Sequence, residues 1–365
     1  MRKIVASLLI IVSLFALLSC AGTRRVVVTV DMSSPVYSGI RGDSPVYILT
    51  VLDEEYRNPE GVYVIPFTEN AVEVARQTNT FRVYFMSGTR QLNDRGEDVS
   101  YLGDCTLIVF PDGTTMLIDG GKYTYADTLA DNIRKLGITE LDYVVLSHMH
   151  SDHFGVLFCS GGIFDSFKVG TFIWSGCDNG AAATLANFDR AVKSRGVNMV
   201  TVHRGDSFNI GDVRIDIYGP SADVEGKSFP ETPDMNNASI VMKMTFGDFK
   251  ALFAGDLYVE GEKETMAANS EGSLDADLVK ANHHGRVTSN STEWINATSP
   301  KVMFSSTIPN DTVYMGYAKA GARVISEYMD DYTRVVSDGY NCEVTTSRAR
   351  GKNKLYDMYD QLSSW

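Results

Sequence analysis

Four ligand-type side chains, His148, His150, Asp152 and His153, fall within six residues of this chain, and that run constrains it more than any other feature. It directly follows residues 143–146, a short apolar run that reads as a buried strand. His283 and His284 likewise come just after a predicted strand, 276–281, and precede Gly285. Five of the six histidines thus lie at the C-terminal ends of two predicted strands. Strand ends are where loops converge and a rigid scaffold presents functional groups. A lone histidine on an apolar face is more often a satisfied core residue, a reading that four ligand types in six positions resist. In one tight turn His148 and His150 can face one metal ion while Asp152 and His153 face another. Imidazole with carboxylate suits zinc, manganese or iron. Asp256, after Gly255 at the end of a predicted hairpin (239–246 and 249–254), can bridge the two ions. His283 or His284 can complete the second site. The expected cofactors are two divalent ions, zinc first and manganese as the alternative, sharing a nucleophile as pairs about 3.5–4 Å apart do.

The surrounding pattern alternates. Strands are expected at 81–86, 105–110 and 115–118, the last two joined by the turn Pro111-Asp112-Gly113. Leu129, Ile133 and Leu136 give helical spacing over 126–136, which Gly137 stops. A helix over 181–194 and strands at 198–203 and 213–219 follow. Residues 20–80 carry no chemical motif and read as a tether or accessory β-rich segment, with strands at 24–30, 46–52 and 61–67 and a helix at 69–77. The chemistry is expected in a domain over 81–340, with 341–365 as a C-terminal extension.

Residues 1–19 read as an export signal. Arg2 and Lys3 precede the apolar stretch 4–18, too short to span a bilayer as a helix of about 20 residues. Leu17-Leu18-Ser19-Cys20 resembles a bacterial lipobox, which makes Cys20 the expected lipidation site and a membrane, through that anchor, the expected partner in the cell envelope. The formal charge is −13, and loss of residues 1–19, with two bases and no acid, makes it −15. Such acidity argues against a sequence-tolerant nucleic-acid binder. The basic run 348–354 reads as a solvated tail. Cys105, Cys159, Cys177 and Cys342 show no CxxC spacing. They are compatible with two disulfides in an oxidising space, although small buried residues is the preferred reading for at least two of them.

The run Ser147–His153 resembles the HxHxDH signature of the metallo-β-lactamase superfamily, and Leu117-Ile118-Asp119-Gly120-Gly121 its upstream Asp-Gly motif. The segments 81–86 with Gly103-Asp104, 236–241, 252–256 and 278–285 are similar, in order, to the hydrolase domain of the DNA-internalisation competence protein ComEC. The resemblance implies an α/β fold, the αββα four-layer sandwich, here with a small N-terminal β-rich segment. It implies that Asp119 buttresses the metal loop. It also implies a hydrolase acting on a phosphodiester, either DNA or an envelope component such as the substrates of phosphorylcholine esterases. Many superfamily members place another histidine where this chain has Asn236 and Asn237, which makes an asparagine a weak supporting ligand and β-lactam hydrolysis the less favoured chemistry. Arg286 stands where relatives often have a small serine and can hold an anionic oxygen. Asp152, Asp256, His284 and Arg286 are the expected catalytic residues, and His203 is read as structural. The non-enzymatic alternative is a lipid-anchored binding module on a degenerate fold, a role that requires none of these ligands.

Overall fold

A computed structural model describes residues 45, 47–52, 65–86 and 103–347. The export signal, Cys20, the strand expected at 24–30 and the basic run 348–354 lie outside the described residues. Two mixed sheets make up the molecule. The first has nine strands in the spatial order Tyr47–Val51, Cys342–Thr346, Thr333–Ser337, Phe81–Phe85, Thr106–Val109, Thr115–Ile118, Glu140–Val145, Lys168–Trp174 and Asn198–Thr201. The second has seven: Arg323–Ser326, Val302–Ser305, Leu278–Lys280, Phe249–Phe253, Val241–Phe246, Val213–Gly219 and Ser207–Ile210.

Strand alternation sets the layers, because successive side chains point to opposite faces. On the first sheet Phe81, Val83, Phe85, Ile108 and Met116 face the second, meeting its Met242, Met244, Phe253 and Phe304 in one apolar cluster. Tyr84, Leu107, Val109 and Leu117 face the other way, onto Ala71, Ala75, Leu129 and Ile133 of the outer helices. The outer face of the second sheet is covered in the same manner, Met303 and Val324 by Tyr314 and Tyr317 and Leu252 and Val279 by Trp294. The result is the expected four-layer αββα sandwich. At its centre Phe85 and Phe304 stack across the sheets with ring centroids 3.7 Å apart. Phe85→Ala removes that contact and leaves a cavity, so denaturant unfolding is expected to show a loss of about 3–5 kcal/mol.

Two expected boundaries need correction. Tyr47–Val51 is not part of a separate module: it pairs in parallel with Cys342–Thr346 inside the first sheet. The helix Ala71–Thr78, capped by Asn70, packs under the same sheet through Ala71 and Ala75. Cys342–Thr346 in turn pairs with Thr333–Ser337, so position 341 does not open an appendage. The strand expected at 61–67 is not formed over its described part, Ile65 to Phe67. None of the four cysteines within the described residues forms a disulfide, and Cys105, Cys177 and Cys342 are buried.

Candidate metal centre

The strand Glu140–Val145 delivers the chain to Ser147–His150, and the helix Ser151–Phe158 then carries Asp152 and His153. Phe249–Phe253 ends just before Gly255 and Asp256, and Leu278–Lys280 just before a short turn, Asn282–Gly285. His283 and His284 take left-handed backbone angles there (φ 45° and 56°), which few residues with a Cβ adopt. The turn is held by Glu262, fully buried, whose carboxylate accepts hydrogen bonds from the Asn282 amide, Asn290 N and Ser291 N. Close approach fixes the other loops. A Cβ on Gly103 would lie 1.9 Å from the Asp152 carbonyl oxygen, and Asp104 N donates to that oxygen at 3.0 Å.

These elements converge on Asp256. Its Oδ2 lies 2.9 Å from His284 Nε2, 3.2 Å from His153 Nε2, 3.9 Å from His148 Nε2 and 4.0 Å from His283 Nε2. His148 Nε2 and His150 Nδ1 are 3.0 Å apart, and Asp152 Oδ2 is 3.6 Å from His284 Nε2. The outer nitrogens of two rings are held by carboxylates. Asp119 Oδ2 is 2.8 Å from His153 Nδ1, while its Oδ1 accepts from Ser147 N at 2.8 Å. Asp104 Oδ1 is 2.9 Å from His284 Nδ1. This is the carboxylate–histidine arrangement that orients metal-ligating imidazoles.

Electrostatics point the same way. Burial opposes charge on His153, but Asp256 and Asp119 outweigh it and hold its pKa well above the usual value. Burial also opposes charge on His284, which Asp104 and Asp256 nevertheless push up to about 10. Burial, followed by the charge on His153, drives His148 well below the ordinary value. Burial takes His283 down to about 4. The clustered carboxylates thus favour positive charge at His153 and His284, and the same field favours divalent cations. The donor set fits such ions on a second count. Asp256 Oδ1 and the Asn236 amide nitrogen are buried without a hydrogen-bond partner.

His148, His150, Asp152, His153, Asp256 and His284 thus come together, with Asp119 behind them as expected. His283 stays farther from Asp256 than His284 does, at 4.0 Å against 2.9 Å: its Nδ1 meets Thr288 Oγ1 at 2.5 Å and its ring lies 4.8 Å from that of Tyr258. Asn236 lines the site, whereas Asn237 uses its Oδ1 to accept from Tyr258 N and Gly261 N and so braces the loop after Asp256. Arg286 is exposed on the rim of an open cavity of about 240 Å³ that also touches His150, Asp152, Asn236, Asp256 and His283. His203 stands apart, its Nε2 on the Ser175 carbonyl. Sequence reasoning did not assign Asp104 or Lys280 to the site. Asp104 belongs to a Gly-Asp turn ahead of a strand, a common surface feature, and Lys280 sits near the end of a predicted strand, where a charge is ordinary.

Residues 101–158 match the metallo-beta-lactamase superfamily. The chain is 29% identical over 185 residues to ComE operon protein 3 of Bacillus subtilis (strain 168), covering 50% of this chain and 22% of that protein. It is 26% identical over 206 residues to competence protein ComA of Neisseria gonorrhoeae, covering 56% of this chain and 24% of that protein. It therefore spans about a quarter of the length of these curated relatives. Among solved structures, the metallo-beta-lactamase fold protein YhfI from Bacillus subtilis is similar at 12% identity and a TM-score of 0.42, over 68% of this chain and 95% of that one. Tm1679, a metal-dependent hydrolase of the beta-lactamase superfamily, is similar at 13% identity and a TM-score of 0.43, over 70% and 98%.

Proposed function

On this metallo-β-lactamase-type sandwich, whose curated relatives are competence proteins, we propose a dinuclear metal-dependent phosphodiesterase. The observation that carries the reading is the convergence of His148, His153 and His284 on Asp256, with His150 and Asp152 on the same open cavity. In this reading His148, His150 and Asn236 hold one ion, Asp152, His153 and His284 the other, and Asp256 both. Divalent ions in such a pair supply Lewis acidity toward phosphoryl oxygens and lower the pKa of water. Asp119 and Asp104 keep His153 and His284 in the tautomer that leaves Nε2 as ligand. Arg286 offers its guanidinium to a nonbridging phosphoryl oxygen. His283, held by Thr288, is the histidine of the pair that remains available to substrate.

Between the two substrate classes, an envelope phosphodiester is favoured over DNA. Arg286 is the sole lysine or arginine among the described residues lining the cavity, and the whole chain carries a charge of −13. A strand of DNA needs a row of cations along its phosphates. Purified protein should therefore cleave a choline phosphodiester faster than single-stranded DNA, and the opposite order refutes this substrate assignment. Arg286→Ala is expected to raise KM for the phosphodiester about tenfold with a smaller change in kcat, the pattern of a lost ground-state contact. Export and lipid attachment at Cys20 belong to the same proposal. Labelling with a radioactive fatty acid tests them, and a Cys20→Ala variant that still takes up label refutes them. No helix among the described residues is long and apolar enough to cross a membrane.

A further inference from the structure

We infer that Lys280 is a positioning residue of the metal centre: its buried ammonium reserves Asp104 as the outer partner of His284 and ties the Gly255-Asp256 turn to the same point. The inference rests on the metal-dependent reading above. Lys280 ends the strand Leu278–Lys280, and Leu278 lies in the core between the sheets. Two residues on, Lys280 shares that face. Its register partner on the neighbouring strand is Phe304, which fills the inter-sheet core. The pattern therefore calls for an apolar side chain, yet the residue is a lysine with 5% of its surface exposed.

A buried ammonium is costly unless it is paired and hydrogen-bonded, and every partner of this one belongs to the site. It forms an ion pair with Asp104 Oδ2 and donates to the Gly255 carbonyl at 2.9 Å. Asp256 Oδ1 is 3.7 Å away. One cation thus joins the turn that precedes Thr106–Val109, the turn that carries Asp256, and the strand that leads into His284. Asp104 needs such restraint. Asp104, His153, Asp256 and His284 each offer a ligand atom, all within 4.8 Å of one another, so Asp104 is close enough to compete as a direct ligand. With Oδ2 held by Lys280 and Oδ1 shared by His284 Nδ1 and Ser306 Oγ, its carboxylate stays behind the imidazole.

The test is zinc titration of the full chain, stripped with a chelator, against a chromophoric competitor, with circular dichroism as the fold check. The unaltered protein should bind two equivalents. Lys280→Met should weaken the second, meaning the ion proposed for Asp152, His153 and His284, by about 10–100-fold, the usual cost of losing an outer partner, and disturb the other less. Lys280→Met binding both equivalents like the unaltered protein overturns the inference. The double variant Lys280→Met/Asp104→Asn removes both charges, so it carries the test even where the single variant leaves Asp104 unpaired and unfolds. If Lys280 acts through Asp104, the double variant binds the second equivalent about as Asp104→Asn does alone. A further loss of about tenfold or more overturns the inference. Unaltered protein that binds no zinc counts instead against the metal-dependent reading itself.

Discussion

Asp256→Ala is expected to abolish metal binding and phosphodiester turnover together, with activity falling by at least about three orders of magnitude, near 4 kcal/mol of barrier. Among the described residues Asp256 is the one carboxylate within 4.0 Å of ring nitrogens from His148, His153, His283 and His284. Its removal takes away the group proposed to hold both ions and the carboxylate that lies closest to both His153 Nε2 and His284 Nε2. Metal analysis of the dialysed variant, alongside hydrolysis of bis-p-nitrophenyl phosphate, reads both effects. Unchanged activity refutes the bridging role. Loss of turnover with both ions retained refutes the link between the residue and the metals.

The second large effect is expected at Asp119, which contacts no proposed substrate. Its carboxylate accepts from Ser147 N and Ser147 Oγ (2.7 Å) and holds His153 Nδ1. Asp119→Ala leaves a buried amide and an imidazole unsatisfied, at a cost of about 2–5 kcal/mol in stability. Metal affinity should fall about 10–100-fold as His153 loses its orientation. Asp119→Asn separates the two effects. Its amide oxygen can still accept from Ser147 N, so stability should be largely kept. Its NH₂ would donate to His153 Nδ1 and move the ring proton to Nε2, which then cannot ligate. Thermal unfolding and zinc titration should show a folded, metal-poor protein, and an Asn variant that binds zinc normally contradicts the tautomer argument.

How far the sequence carried the site depends on whether the chemistry was local. The HxHxDH run is local, so its ligand types are written in consecutive residues, although Asp152 and His153 lie on the helix Ser151–Phe158 and not in one tight turn with His148 and His150. Asp256 and the histidine pair were found because each follows a recognisable strand. Which of His283 and His284 lies nearer Asp256 was not legible, since it turns on two left-handed residues and on Asp104, 180 positions away. Lys280 escaped for a related reason: a charge near the end of a strand reads as an exposed position until the opposite sheet is in place. The fold divides similarly. Thr115–Ile118 and Val213–Gly219 were delimited to the residue, because turn signals flank them. Tyr47–Val51 and Cys342–Thr346 were assigned to separate segments because their pairing joins the two ends of the chain, and no local pattern encodes a contact of that range.

The claim that most of this depends on is that the cluster around Asp256 is a working dinuclear centre. The most direct measurement is the metal content of the purified chain, followed by chelation and add-back of zinc or manganese while bis-p-nitrophenyl phosphate cleavage is monitored. The expected result is about two ions per chain, loss of cleavage on chelation and its return with metal. A folded chain that holds no metal and stays inert with either ion contradicts the enzyme and leaves the lipid-anchored binding module in its place.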